Sequence, residues 1–112
     1  MNYFITGSHI YGPLSDDSDL DIVMMRDEAR KIWGMMELVG IEITRKDTSN
    51  RPRYFQLGIL NINIIGLETE LEYEAWKYAT DEMKKLAPCY CRKTRHWLFE
   101  KFVDEYMRME DE

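Results

Sequence analysis

Two short groups near the start of the chain have residue types and a spacing that suit chemistry on phosphate. Gly7-Ser8 is followed, after ten residues, by Asp19-Leu20-Asp21, within the stretch GSHIYGPLSDDSDLDIVMM. Side chains alternate faces along an extended strand, so Asp19 and Asp21 share one side while Leu20, Ile22 and Met24 turn to a core. Two carboxylates this close offer hard oxygen ligands, which suit Mg²⁺ or Mn²⁺ bound together with substrate phosphates. Gly7 lets the backbone approach a ligand, and Ser8 offers a hydroxyl and an N–H to a phosphate oxygen. Together they can hold a nucleoside triphosphate through metal ions.

Residues 1–6 read as a first strand, apolar at Tyr3, Phe4 and Ile5. A turn and loop follow from Gly7 to Ser18, with Gly12-Pro13 and Ser15-Asp16-Asp17 as breakers. Residues 19–25 form a second strand. Asp27 is placed to cap a helix with Ala29, Ile32, Trp33, Met36 and Val39 at helical spacing, and Gly40 ends it. Residues 41–46 alternate as a third strand, 47–53 make a polar turn, and 54–65 form a longer strand region broken by Gly58, so a hairpin is expected. Thr69-x-x-Glu72 is a capping box for a helix whose stripe is Leu71, Ala75, Trp76, Ala79, Met83 and Leu86, stopped by Pro88. A last helix over 92–109 carries Leu98, Phe99, Phe102, Val103 and Tyr106. The order β-β-α-β-β-α-α predicts an α+β fold, a mixed sheet of about four strands with helices on one face, as a single domain over 1–112.

Composition narrows the function. The 112 residues suffice for one domain with a modest core, and 45% hydrophobic with 32% charged residues is ordinary for a globular chain. The net charge of −6 disfavours a broad DNA-binding face. No apolar run is long enough to span a membrane, and the first residues have no signal-peptide pattern. Cys89 and Cys91 are too few for a disulfide framework, which points to a reducing cytosol. Basic clusters at Arg45, Lys46, Arg51 and Arg53, and at Arg92, Lys93 and Arg95, read as solvated charge. The functional alternative for them is phosphate or partner contact near the site.

Gly-Ser, ten residues, and Asp-x-Asp resemble the signature of the DNA polymerase beta-type nucleotidyltransferase superfamily. The flavour is that of its minimal members, with Ser18 directly before the first Asp and Gly12 inside the loop. The motif covers residues 5–25. The resemblance implies a nucleotidyltransferase core, Mg²⁺ or Mn²⁺ held by Asp19 and Asp21, and a triphosphate held by Gly7, Ser8 and Ser18. It implies transfer of a nucleoside monophosphate, most simply AMP from ATP, to a hydroxyl of a protein, an RNA end or a small molecule. The family also includes antitoxin-like partners of small helical toxins, so a degenerate, nucleotide-binding or inhibitory protein is the alternative.

The resemblance further implies a third carboxylate on a neighbouring strand. None occurs between Asp47 and Glu68. Asn63 is the expected equivalent and Asn61 the second choice, both on the face opposite Leu60, Ile62 and Ile64. An amide carbonyl can ligate a metal, but it is neutral and a poor base. Asp16 and Asp17 can compensate from the loop, although turn chemistry explains them as well, and His9 can contact phosphate. An EF-hand reading of Asp17, Asp19, Asp21 and Glu28 fails at Ile22, where such a loop needs glycine. Cys89, Cys91 and His96 fit no common zinc spacing. The Trp33/Met36 and Trp76/Met83 stripes read as core.

Overall fold

The computed structural model describes residues 2–11, 19–47, 54–59, 61–86 and 91–111. Along the chain these form β1 (Tyr3–Thr6), α1 (Ser8–Tyr11), β2 (Leu20–Met25), α2 (Arg26–Leu38), β3 (Thr44–Asp47), β4 (Tyr54–Ile59), β5 (Ile62–Leu67), α3 (Glu70–Lys84) and α4 (Arg92–Asp111). The strands make one sheet in the order β1-β2-β5-β4-β3. β2 and β5 run parallel, and every other neighbouring pair is antiparallel. The fold is therefore α+β with a mixed sheet, as the sequence order suggests.

Five strands stand where four were expected. The long run over 54–65 folds back on itself, with Ile59 opposite Ile62 and two residues between them. A two-residue connection needs very little turn signal, and Asn61 is the polar break in an otherwise apolar run. The third strand begins three residues later than its alternation suggests.

The helices divide between two faces of the sheet. On one, Val23, Ile65 and Leu67 pack with Ala75, Trp76 and Ala79 of α3 and Val103 of α4, joined by Phe4, Phe99, Phe102 and Tyr106. On the other, Met24, Leu57, Ile59 and Ile64 pack with Ala29, Ile32, Trp33 and Met36 of α2. The cause lies in the central strands. β2 carries Ile22-Val23-Met24 and β5 carries Ile62, Ile64 and Ile65, so both parities are apolar and both faces need cover.

The helix ends follow local chemistry. Thr69 caps α3, its Oγ1 accepting from the Glu72 N–H at 3.1 Å, while Glu72 Oε2 accepts from the Glu68 N–H at 3.2 Å. Gly40 closes α2 with φ +75°, donating to the Glu37 carbonyl, while the Ile41 N–H reaches the Met36 carbonyl. The start of α2 differs from expectation: it begins at Arg26, and Met25 at the cap position makes no side-chain hydrogen bond. Arg26 instead pairs with Glu68 at 2.5 Å, tying α2 to the segment before α3. Val39, expected on the packed stripe, is 69% exposed because the helix has ended before it. Pro88 lies outside the described residues. Among the described residues no helix is long and apolar enough to cross a membrane.

Leu57 is completely buried in the α2-side core, whereas Leu38 at the end of α2 is 88% exposed. Leu57→Ala is expected to lower the unfolding free energy by about 2–5 kcal/mol, and Leu38→Ala to change it by less than about 0.5 kcal/mol. Urea denaturation of the two variants checks both values.

Candidate functional site

The sheet register brings the acidic residues together. Thr6 of β1 pairs with Asp21 of β2, and Asp21 pairs with Asn63 of β5, so three polar side chains stand in one row across adjacent strands. The next residue in that row, on β4, is Gly58. By alternation the row lies on the face that α3 and α4 cover, beyond the apolar layer of Val23 and Ile65. Asp19, just before β2, has the same parity.

Asn63 joins the two carboxylates. Its Nδ2 donates to Asp19 Oδ2 and to Asp21 Oδ1, each at 3.2 Å. The two acidic oxygens therefore converge on a single point occupied by an amide nitrogen. Asn61, the second choice for this role, is exposed in the β4–β5 turn, where its carbonyl accepts from the Leu20 N–H at 2.9 Å.

The donor set suits a hard cation. Asp19 and Asp21 offer oxygens aimed at one point, and Asn63 adds its carbonyl oxygen once its amide turns over. Among the described residues no three His, Cys, Asp or Glu side chains cluster around a common centre. The expected pair of acids is thus present with a neutral third member. Asp16 and Asp17, the loop candidates for a further carboxylate, lie outside the described residues.

Gly7 meets two demands at once. Its φ is +77°, where a β-carbon is strained, and a β-carbon there would overlap Asp21 Oδ2. The bend is thereby pressed directly against the carboxylate. The Gly7 carbonyl accepts from the N–H groups of Ile10 and Tyr11 at 2.9 and 3.1 Å, which winds the chain into α1. Ser8 opens that turn of helix at the level of the backbone.

A chain of hydroxyls fixes the bend to the helical layer. Thr80 Oγ1 donates to the Trp76 carbonyl at 2.8 Å and stands 2.7 Å from Thr6 Oγ1. Tyr11 in turn shares hydrogen bonds with Thr6 and with the Gly7 backbone. Burial raises the Tyr11 pKa above the ordinary phenol value, which keeps its hydroxyl protonated. Thr6 and Thr80 are both buried, and every step of the chain has a partner.

Cationic residues flank the acids. Burial is the largest cause of a raised pKa at Asp21, with the Asp19 charge adding to it; the Asn63 hydrogen bond and the charges of His9 and His96 oppose the rise. Arg95 of α4 acts electrostatically on Tyr11. The Tyr11 ring stacks on Phe99 of α4 at 6.4 Å between centroids, and Phe99 meets Trp76 of α3 edge-on at 4.9 Å.

Of the residues expected to form the site, Asp19, Asp21, Asn63 and the Gly7-Ser8 bend come together. Ser18, expected to bind the phosphates, and Gly12 lie outside the described residues, as does the position of the Ser8 side chain. Thr6, Tyr11 and Thr80 were not expected at the site. Nothing in their local spacing marks them, because their meeting depends on strand register and on the docking of α3. His96, weighed only as a metal ligand with the two cysteines, acts electrostatically on Asp21.

The ionised form of Asp21 is disfavoured in the folded chain. Its contribution to stability is complete below the ordinary carboxylate range and is lost as pH rises through its raised pKa. Asp21→Asn retains an oxygen to accept from Asn63 and removes the charge. The variant is expected to be more stable than the parent at pH 7, by about 1 kcal/mol, with the difference vanishing toward pH 3. Thermal melts across that range, without divalent ions, test the sign.

No protein-family model matches this chain, and comparisons with curated proteins and with solved structures likewise give no match.

Proposed function

We propose that the chain is a metal-dependent nucleotidyltransferase that moves a nucleoside monophosphate, AMP from ATP in the simplest case, onto a hydroxyl of a protein, RNA or small molecule. The observation that carries this reading is the convergence of Asp19 Oδ2 and Asp21 Oδ1 on one point beside the Gly7 bend. Asp19 and Asp21 would hold Mg²⁺ or Mn²⁺, with Asn63 as a neutral third ligand. A divalent ion there offsets the charge of a triphosphate and of its leaving group. The bend at Gly7 and Ser8 lies beside the same oxygens, where a phosphate bridged by the ion would rest. The acceptor oxygen attacks the α-phosphorus, the bond to the β-phosphate oxygen breaks, pyrophosphate leaves, and the acceptor proton passes to water.

Asn63 also favours a second reading. A neutral amide cannot take the acceptor proton, and it adds no charge to hold a second cation. A nucleotide-binding protein of this architecture without turnover, acting as a sensor or as an antitoxin-like, inhibitory partner of another protein, retains everything except the chemistry.

Incubation with Mg²⁺ or Mn²⁺ and labelled nucleotides separates the two. The first reading expects pyrophosphate release and a labelled product, with Asp19→Asn or Asp21→Asn lowering the rate on the order of a hundredfold or more. Nucleotide binding without any turnover in the parent chain supports the second. Asn63→Asp is expected to tighten divalent-ion binding by about tenfold in calorimetry. Unchanged affinity would remove Asn63 from the ligand set.

A further inference from the structure

Electrostatic balance at this site raises a question that the carboxylates alone leave open. The chain carries a net charge of −6, and the site adds two convergent carboxylates. A polyphosphate brings several more negative charges, of which one divalent ion offsets only two. Such a ligand needs fixed cations within reach.

α4 supplies them. Phe99 is held against Tyr11 on one side and Trp76 on the other, which fixes the rotation of the helix over the bend. Arg95 and His96 lie four and three residues before Phe99, so both share its face, one turn nearer the helix start. Arg95 acts on Tyr11, the residue hydrogen-bonded to the Gly7 backbone, whereas His96 acts on Asp21. The guanidinium thus acts electrostatically on the bend's tyrosine, and the imidazole on Asp21. His9 approaches the same carboxylate from α1. The chain has two histidines, and both act electrostatically on Asp21.

We propose that α4 holds Arg95 as a phosphate clamp over the Gly7-Ser8 bend, with His96 and His9 beside it, so that the outer phosphates of a metal-bound polyphosphate are gripped from the helical layer. A guanidinium suits this task because its planar fork meets two phosphate oxygens at once. The inference rests on the nucleotidyltransferase reading for its ligand class, and it adds that α4, far from the motif in sequence, is part of the site. It also gives the basic run Arg92-Lys93-Arg95 a role for one of its members.

Calorimetric titration of the full chain with inorganic tripolyphosphate and Mg²⁺ tests the clamp. Arg95→Gln is expected to weaken binding about tenfold, and Arg95→Lys, which keeps the charge and the stem but loses the fork, to fall between the two. His96→Gln is expected to weaken it less, and serves as the second variant if Arg95→Gln melts early. Tripolyphosphate that binds in an Asp21-dependent way, with full affinity in both Arg95 variants, overturns the clamp and leaves the nucleotide reading standing. Absence of metal-dependent tripolyphosphate binding in the parent chain overturns both.

Discussion

The structure is organised around two like charges held at one point on a half-buried strand end. At a separation of a few Å, a pair of carboxylates repels by roughly 1–4 kcal/mol, depending on how much water screens them. Burial at Asp21 adds to that cost. Asp19 meets that cost at an exposed position, and the surroundings of Asp21 hold its side chain in place. The Asn63 amide bridges them, the missing β-carbon of Gly7 makes room for Asp21, and His9 and His96 act on it electrostatically.

The position of that pair follows from a simple parity. Residues of odd number along β2 face α3 and α4, and those of even number face α2. Asp19 and Asp21 thus continue the row that Val23 begins, at the end of the sheet where the apolar cover stops. A shift of one residue in the β2–β5 register would send both acids into the α2-side core. The apolar residues Ile22, Met24, Ile62 and Ile64 forbid that shift. The same side chains that build the second core therefore set the geometry of the acids, and packing and chemistry are two consequences of one alternation.

Much of this was legible in the sequence. The spacing of Asp19 and Asp21, the bend at Gly7, the shared face of Asn63 and the cap at Thr69 are local properties of a few residues, and each stands where its spacing indicates. The turn between β4 and β5 was hidden because Asn61 and Asn63 alternate with apolar residues just as a continuous strand would. The second covered face was hidden because Ile22-Val23-Met24 gives no period with which to choose a side. Thr6, Tyr11 and Thr80 were out of reach for another reason. Thr6 and Thr80 are 74 residues apart in sequence, and only the docking of α3 on β1 and β2 brings their hydroxyls together.

That hydroxyl chain bears on how rigid the bend is. A glycine with positive φ is an entropic weak point, because the unfolded chain has many other conformations open to it. Here the Gly7 backbone is bonded to Tyr11, Tyr11 to Thr6 and Thr6 to Thr80, and Thr80 donates to a carbonyl of α3. Thr6 and Thr80 are buried and each has a partner, so removing one hydroxyl leaves its neighbour's polar group unmet. Such an unmet group costs about 1–3 kcal/mol. The linked hydroxyls thereby couple the bend to α3, and the Tyr11–Phe99 stack couples it to α4. A phosphate on this bend would rest on a backbone already fixed by the helical layer, and ordering it would take little further entropy. The small motif near the start of the chain is preorganised by helices that follow it by sixty residues or more.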